Sequence, residues 1–285
     1  MNATKRRRIL VTGATGFSGK ELTLLLSEDK SAELFLTGRT AREGFYQCDL
    51  SDFSVTRRLI SDIKPDQTYH LAGSFTNRYE EDYNSNFLSA KNILDALRES
   101  SNKGRVLLIG SAAEYGAISP EDLPVKEDHP LRPTSVYGLT KVFQTKLMGL
   151  YVPRFGMDIV MARSFNLSGK GIPPVLMVGK IWQEIEKYKR GEVKVITVDD
   201  FSAERDYIDI EKAVRYYQII MERGKTGEVY NVGEGKGLTG SEIVSKMLAA
   251  EGLPAGLIRE AEHSSSNKLA IPKIYADITK LKNLG

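Results

Sequence analysis

A turn with regularly spaced glycines near the amino terminus constrains the fold more than any other feature of this chain. Residues 9–12 read as a short buried β-strand, and the apolar residues 21–26 read as a helix. Between them stand Gly13, Gly16 and Gly19. Glycines there let the backbone turn tightly and approach a pyrophosphate, while free helix N–H groups face the anion. The spacing is one residue longer than the commonest dinucleotide fingerprint, so a plain loop is the alternative to a nucleotide site.

Buried β runs alternate with amphipathic segments along the first 166 residues. The later runs lie at residues 34–37, 68–72, 106–111 and 159–163, with helical patterns between them. Strands that alternate with helices predict an α/β fold built on a doubly wound parallel sheet of Rossmann type. A chain of 285 residues with 41% hydrophobic content can bury one large core, with or without a small lobe.

The second part of the chain predicts a smaller C-terminal lobe. A Gly/Pro-rich stretch at residues 168–174 interrupts the alternation, and a helix bearing Trp182 and Tyr188 follows it. Thr239 and Glu242 have capping-box spacing, which predicts the start of a further helix.

Tyr137 and Lys141 stand four residues apart, and a helix would place both side chains on one face. An unperturbed phenol has a pKa near ~10. A fixed ammonium one turn away would lower the pKa of the Tyr137 phenol and make it a better proton donor near neutral pH. Ser111 ends a buried β run, where a strand meets the ligand crevice of such a sheet. The alternatives are a solvated helix face for the pair and a strand-end cap for Ser111.

Taken together, the glycine turn, Ser111, Tyr137 and Lys141 resemble the site of the extended short-chain dehydrogenase/reductases. The resemblance covers nearly the whole chain. Asp49-Leu50 is similar to the family's adenine-side acidic pair, and His70-Leu71-Ala72-Gly73 to its segment over the adenine ribose. Asn86 resembles its helix asparagine, and residues 163–166 its Arg-Pro-Phe-Asn run with Ser164 in place of proline. Residues 205–209 and 230–233 match its nucleotide-sugar end.

This resemblance implies a role for each candidate site residue. The catalytic residues would be Ser111, Tyr137 and Lys141. The cofactor would contact Gly13, Thr15, Gly16, Phe17, Ser18, Gly19, Arg39, Asp49, Leu50, Leu71, Ala72, Gly73, Asn86, Tyr137 and Lys141. The substrate would contact Ser111, Ala112, Ala113, Tyr137, Asn166 and Arg205, the last two holding its nucleotide diphosphate.

The resemblance also implies a domain division and an assembly. Residues 1–166 would form the NADP-binding Rossmann domain, to which residues 207–235 return. Residues 167–206 and 236–285 would form the substrate-binding lobe. The helices holding Asn86 and Tyr137 would pair with those of a second copy, so we expect a homodimer.

Arg39 indicates which cofactor is used. It follows the second predicted strand, where an acidic residue would bind the adenosine ribose hydroxyls and repel a 2′-phosphate. A guanidinium does the reverse, so Arg39 predicts NADP, used as NADPH. An ordinary surface arginine is the alternative, because Arg42 lies nearby.

The residues after Ser111 limit the reaction. Relatives that dehydrate nucleotide hexoses carry acid/base groups there, and those that epimerise before reducing carry a cysteine two places before the matching tyrosine. This chain has Ala112 and Ala113, and we expect Glu114 to be structural. A bare Ser/Tyr/Lys site permits carbonyl reduction, its reverse, or 4-epimerisation.

We favour an NADPH-dependent reductase of a nucleotide-linked 4-keto-6-deoxyhexose, most similar to the enzymes that act on GDP-linked sugars. A 4-epimerase is the first alternative, although such relatives usually carry an acidic residue where Arg39 stands. The second alternative is a non-catalytic cofactor-sensing or scaffold protein, which the intact Ser/Tyr/Lys set argues against.

Composition excludes other classes. The 40 basic and 37 acidic residues give a formal charge of +3, which offers no case for nucleic-acid binding. Cys48 is the only cysteine, and no Cys/His cluster has metal-ligand spacing. We expect packing or loop roles for His70, His129 and His263. There is no apolar run of about 18 residues and no secretory segment, so we expect a cytoplasmic protein without membrane contact.

Overall fold

The computed structural model describes residues 6–198, 203–260 and 271–285 of the chain. Its strands are β1 (Arg7–Thr12), β2 (Ala32–Gly38), β3 (Tyr46–Gln47), β4 (Gln67–His70), β5 (Arg105–Ser111), β6 (Ile159–Ser164), β7 (Asn166–Ser168), β8 (Ile196–Val198), β9 (Glu204–Arg205), β10 (Tyr207–Asp209), β11 (Val229–Val232), β12 (Ile258–Glu260) and β13 (Lys273–Ile274).

The helices are α1 (Phe17–Ser27), α2 (Phe53–Ile63), α3 (Tyr79–Asp82), α4 (Ser89–Glu99), α5 (Val136–Phe155), α6 (Met177–Lys189), α7 (Ile210–Arg223), α8 (Gly240–Ala250) and α9 (Thr279–Lys282). A π-helical turn, Tyr83–Leu88, joins α3 to α4, and a 3₁₀ turn, Ala112–Glu114, follows β5. Within the described residues, no helix is long and apolar enough to cross a membrane.

A seven-stranded parallel sheet in the order β11-β6-β5-β4-β1-β2-β3 forms the centre of the molecule. Successive side chains of a strand point to opposite faces. Leu10 therefore packs with α2, α4 and α5 in one core, while Ile9 and Val11 pack with α1 and α7 in another. Both faces are covered by helices, which confirms the predicted doubly wound sheet and explains its nearly continuous apolar strands.

The predicted strands match β1, β2, β4, β5 and β6, although β1 and β2 each begin two residues earlier than predicted and β4 differs at its carboxyl end. That strand ends at His70, two residues earlier than predicted. The chain leaves the sheet there because the Ala72 N–H donates to the Thr12 hydroxyl (3.2 Å) instead of continuing the ladder. Leu71 to Gly73 thus form a loop over the sheet edge.

The glycine turn packs α1 tightly against the end of β1. Gly13 has a φ of +65°, and a Cβ on it would lie 2.7 Å from the Ala72 nitrogen. A Cβ on Gly19 would overlap the Gly13 carbonyl. Larger residues at these positions would push the helix or the loop after β4 away from the turn.

A third core, separate from the two at the sheet, lies between α6 and α8. Ile181 and Ile185 of α6 pack there with Val244 and Leu248 of α8. The predicted capping box starts α8: Thr239 Oγ1 accepts the Glu242 N–H, and the Glu242 carboxylate accepts the Thr239 N–H (2.7 Å). The residue boundaries of the two domains stay a prediction.

Asp206 ties three distant segments together. Its fully buried carboxylate accepts the N–H groups of Glu234 (2.7 Å), Gly235 (2.9 Å) and Ala276 (3.1 Å). Burial raises the pKa of the Asp206 carboxyl, and the three N–H groups oppose that rise. The carboxylate therefore joins the segment before β10 to the loop after β11 and to the chain after β13.

We expect Asp206→Asn to lower the free energy of unfolding by about 1–3 kcal/mol, because the amide places N–H against a backbone N–H. Urea unfolding of the variant measures this loss. The control is Asp62→Asn on the exposed surface of α2, which should change stability little. Equal stability of the two variants would contradict the role given to Asp206.

Candidate active site

A cleft of about 390 Å³ opens at the carboxyl edge of the central sheet. Its lining includes nine of the predicted cofactor residues: Gly13, Thr15, Gly16, Arg39, Asp49, Leu50, Leu71, Ala72 and Gly73. It also includes Glu81, Asn84 and Ser85, which the sequence reasoning missed. The spacing of these three polar residues, which places them on one face of a helix, could have indicated that they line the cleft. The loops after β1, β2 and β4 meet here because parallel strands end at one edge.

The cleft fits a dinucleotide on the evidence of its amino-terminal turn. No side chain caps α1, so the first-turn N–H groups of Phe17, Ser18 and Gly19 have no intrahelical partner and can bind an anion. Ser18 would therefore contact an anion through its backbone N–H, and its side chain does not line the cleft. The Phe17 ring packs between the second and third cores instead.

Arg39 lies exposed at the cleft, just past the end of β2. Its backbone carbonyl accepts a hydrogen bond from Gln47 (3.3 Å), and its guanidinium makes no ion pair with any described residue. Arg42, by contrast, packs over the Phe45 ring at 5.0 Å. Of these two arginines, only Arg39 lines the cleft.

Ser111 and Tyr137 meet at the end of β5. Ser135 caps α5 and accepts the Gly138 N–H (3.0 Å), which sets Tyr137 in the first turn of that helix. A hydrogen bond to Ser111 lowers the pKa of the Tyr137 phenol, but burial outweighs it and raises that pKa to about 12. The Ser111 hydroxyl also accepts the Ala113 N–H (3.2 Å), so it caps the following turn as well.

The lowered pKa expected for Tyr137 from its neighbour Lys141 was wrong for this structure. The Lys141 ammonium donates to the Ile109 carbonyl (3.0 Å) and to Gln144 (3.3 Å), and lies 5.8 Å from the Tyr137 ring centroid. Lys141 is itself buried, and burial lowers its pKa to about 8. Desolvation is the largest cause of the pKa shift of both groups.

The predicted packing role of His70 is confirmed. The ring is fully buried and shares a hydrogen bond with the Thr12 hydroxyl (2.9 Å). Burial, with a smaller effect of Lys141, lowers the pKa of His70 to about 3, so the ring stays neutral. His129 bonds Pro130 and Asp122 at a loop, and His263 lies outside the described residues.

Asn86 lies under the cleft rather than in its wall. Its amide donates to the Ser74 carbonyl and the Thr140 hydroxyl (both 3.0 Å), and its oxygen accepts the Ser74 N–H (2.9 Å). Asn86 is fully buried in the π-helical turn, a distortion often found at functional sites. It therefore locks the loop after β4 onto α5.

Glu114 has the structural role expected for it. The carboxylate is fully buried, accepts the Ser111 N–H (2.8 Å) and pairs with Arg163 (3.0 Å). Arg163 also donates to the Tyr115 hydroxyl (2.9 Å). Sequence reasoning named Arg163 only as part of a matching run, because nothing local shows that it meets Glu114.

Asn166 and Arg205 do not line the cleft. Asn166 is exposed at the start of β7, and the Arg205 guanidinium donates to the Glu204 carbonyl (2.9 Å). Their contacts with a substrate stay a prediction, as do those of Ala112 and Ala113. In the described part of the chain, no group of three or more His, Cys, Asp or Glu side chains could hold a metal ion.

Comparison with known proteins identifies the class. Residues 9–233 match the NAD dependent epimerase/dehydratase family, and the chain belongs to it. The chain is thus an NAD(P)-dependent enzyme of the oxidoreductase type, as its Ser/Tyr/Lys arrangement predicts.

Individual relatives differ in activity. The chain is 26% identical to GDP-6-deoxy-D-mannose reductase of Pseudomonas aeruginosa over 81% of this chain and 75% of that one. It is 27% identical to a putative UDP-glucose 4-epimerase of Methanocaldococcus jannaschii, over 97% and 92% respectively. The solved structure of RMD from Pseudomonas aeruginosa complexed with NADPH superposes with a TM-score of 0.83, at 24% identity, covering 98% and 92%.

We expect Tyr137→Phe to lower turnover by roughly a hundredfold or more, the scale for losing a positioned proton donor, while cofactor affinity is nearly retained. Lys141→Ala should lose both turnover and cofactor affinity. Steady-state kinetics and cofactor titration measure the two effects.

The controls for these variants are on the same helix. Tyr151→Phe removes a phenol that bonds Asp95, and Lys146→Ala removes an exposed ammonium. Both should keep turnover. Near-normal turnover of Tyr137→Phe would remove that phenol from the mechanism.

Proposed function

We propose that this chain is an NADPH-dependent reductase of a nucleotide-linked 4-keto-6-deoxyhexose, with GDP-linked sugars as the favoured substrates. The observation that carries the proposal is the bare Ser111/Tyr137/Lys141 site. Ala112 and Ala113 put no proton-transfer group beside Ser111, and the Glu114 carboxylate is held by Arg163. Similarity to GDP-6-deoxy-D-mannose reductase supports the substrate class.

The three residues divide the work of reduction. Bound NADPH would supply the hydride to the ketone carbon. Tyr137 donates the proton to the developing alkoxide, and Ser111 donates a hydrogen bond to the same oxygen. Lys141 would hold the nicotinamide ribose, as the Ser/Tyr/Lys resemblance implies.

NADP is the proposed cofactor because of Arg39. Its guanidinium is exposed at the cleft and makes no ion pair within the described residues, so it is available for charge-assisted hydrogen bonds to a 2′-phosphate. The related structure with NADPH supports this choice.

A 4-epimerase is the second candidate, favoured by the similarity to a putative UDP-glucose 4-epimerase along 97% of the chain. The same three residues could serve it. Arg39 argues against it, because an enzyme that keeps one cofactor through oxidation and re-reduction has no need to favour the 2′-phosphate. Homodimer formation through α5 and the helices around Asn86 stays a prediction.

We expect Arg39→Ala to weaken NADPH binding by about 1–3 kcal/mol, the range for a charge-assisted hydrogen bond, while NADH binding changes little. Calorimetric titration with both cofactors measures the difference. Arg42→Ala is the matched control and should affect neither. Equal losses for both cofactors, or a parent protein that prefers NADH, would contradict the assignment.

The reaction is tested with paired substrates. Given a GDP-linked 4-keto-6-deoxyhexose, the enzyme should consume NADPH stoichiometrically and form one 4-hydroxy epimer, because a chiral pocket presents one ketone face. Given GDP- or dTDP-hexoses without a keto group, it should form no 4-keto-6-deoxy product.

Other outcomes identify the alternatives. Sustained conversion of a non-keto sugar into its 4-epimer without net NADPH use would support the epimerase. Inertness toward every sugar despite tight cofactor binding would support the cofactor-sensing protein.

A further inference from the structure

A second buried carboxylate, Asp82, lies beside the candidate active site, and none of the roles above uses it. Asp82 is fully buried at the end of α3. Its Oδ1 accepts the Ser74 hydroxyl (2.8 Å) and both the N–H and the hydroxyl of Thr76 (3.0 Å each). Its Oδ2 accepts the Asn77 N–H (2.8 Å). Each carboxylate oxygen thus accepts one backbone N–H.

Asp82 is not paired with a cation in the part of the chain that the structure describes. Within the described ranges, no lysine, arginine or histidine forms an ion pair with it, whereas Glu114 is paired with Arg163 at 3.0 Å. A buried anion satisfied only by neutral donors keeps an uncompensated field. That field acts over several ångströms, because buried charges are screened weakly.

Lys141 is the cation that this field reaches. The loop Gly73–Asn77 has one end against Lys141, since a Cβ on Gly73 would lie 3.5 Å from the Lys141 Nζ. Ser74, Thr76 and Asn77 of the same loop donate hydrogen bonds to Asp82. Both direct acceptors of the Lys141 ammonium, the carbonyl of Ile109 and the side chain of Gln144, are neutral.

The same loop touches the candidate proton donor twice. The Phe75 ring meets the Tyr137 ring edge-on, with centroids 4.7 Å apart. The Asn77 side-chain oxygen accepts the Tyr137 N–H (3.3 Å). Asn77 has a φ of +57°, a strained conformation that the hydrogen bond to Asp82 stabilises.

We propose that Asp82 is a positioning residue for proton transfer: with Glu114 it supplies the negative charge that keeps Lys141 cationic and Tyr137 protonated, and it holds the Gly73–Asn77 loop against Tyr137. This proposal rests on the proposed reduction, in which both groups act in their protonated forms.

The surrounding groups fix the sign of the effect. The titratable groups that face Lys141 or Tyr137 are Asp82 from α3, Glu114 from the turn after β5, His70 from β4 and Tyr217 from α7. His70 and Tyr217 are neutral near pH 7. Glu114 is paired with Arg163, and it too raises the pKa of Lys141 and of Tyr137. The Asp82 charge raises the pKa of both Lys141 and Tyr137, so its removal lowers both.

The test removes the charge and the hydrogen bonds separately. Asp82→Asn and Asp82→Ser remove the charge, and the serine avoids placing an amide against the Asn77 N–H. Thr76→Val removes one hydrogen bond to Asp82 and keeps the charge. Lys141 is followed by NMR in cofactor-free protein labelled with ¹³C at the lysine ε-carbons, and Lys141→Arg assigns its signal.

We expect Lys141 to titrate at a pH lower by roughly half a unit or more in both charge variants and at its normal pH in Thr76→Val. In the reductase assay, the fall of kcat/KM at high pH should move downward by a similar amount, because both groups must be protonated. An unshifted Lys141 titration in the charge variants, or an equal shift in Thr76→Val, would overturn the proposal.

Failure of the reductase assignment would look different. In that case the wild-type protein would reduce no 4-keto sugar while Lys141 still titrated at a lower pH in Asp82→Asn. That result would support the role of Asp82 and contradict the proposed function.

Discussion

The buried ion pair between Glu114 and Arg163 is the interaction on which the site depends. Two ions withdrawn from water are costly unless their remaining hydrogen-bonding groups are satisfied. Here the carboxylate also accepts the Ser111 N–H and the Thr145 hydroxyl, while Arg163 donates to the Tyr115 hydroxyl. One pair therefore joins the end of β5 to α5 and β6, and it fixes the strand end carrying the serine relative to the helix carrying the tyrosine and lysine.

The topology of the sheet determines where this ion pair lies. Parallel strands bring the ends of β1, β4 and β5 to one edge, and the same edge receives the uncapped start of α1. Gly110 in β5 leaves the space that the Glu114 carboxylate occupies, since a Cβ there would come within 2.5 Å of its oxygen. The glycine inside this otherwise apolar strand is thus explained by the space that the buried Glu114 carboxylate needs, and strand propensity does not explain it.

The sequence predicted those parts of the molecule that local patterns determine. The glycine turn, the alternation of strands and helices, and the capping box before α8 depend on residues close together in the chain, and the structure confirms them. The pKa of Tyr137 and the contacts of Asn86 depend on burial and on partners more than fifty residues away, such as Thr140. Spacing along one helix carries no information about desolvation, so the direction of the Tyr137 shift could not be read from it.

The two buried carboxylates near Lys141, those of Glu114 and Asp82, suit an enzyme that exchanges its cofactor. A reductase returns to the cofactor-free state in every turnover, and in that state burial lowers the pKa of Lys141 to about 8. Without internal anions the ammonium would lose its proton more readily, and the next cofactor would meet a neutral amine in place of a cation. Glu114 and Asp82 both raise the pKa of Lys141 against burial.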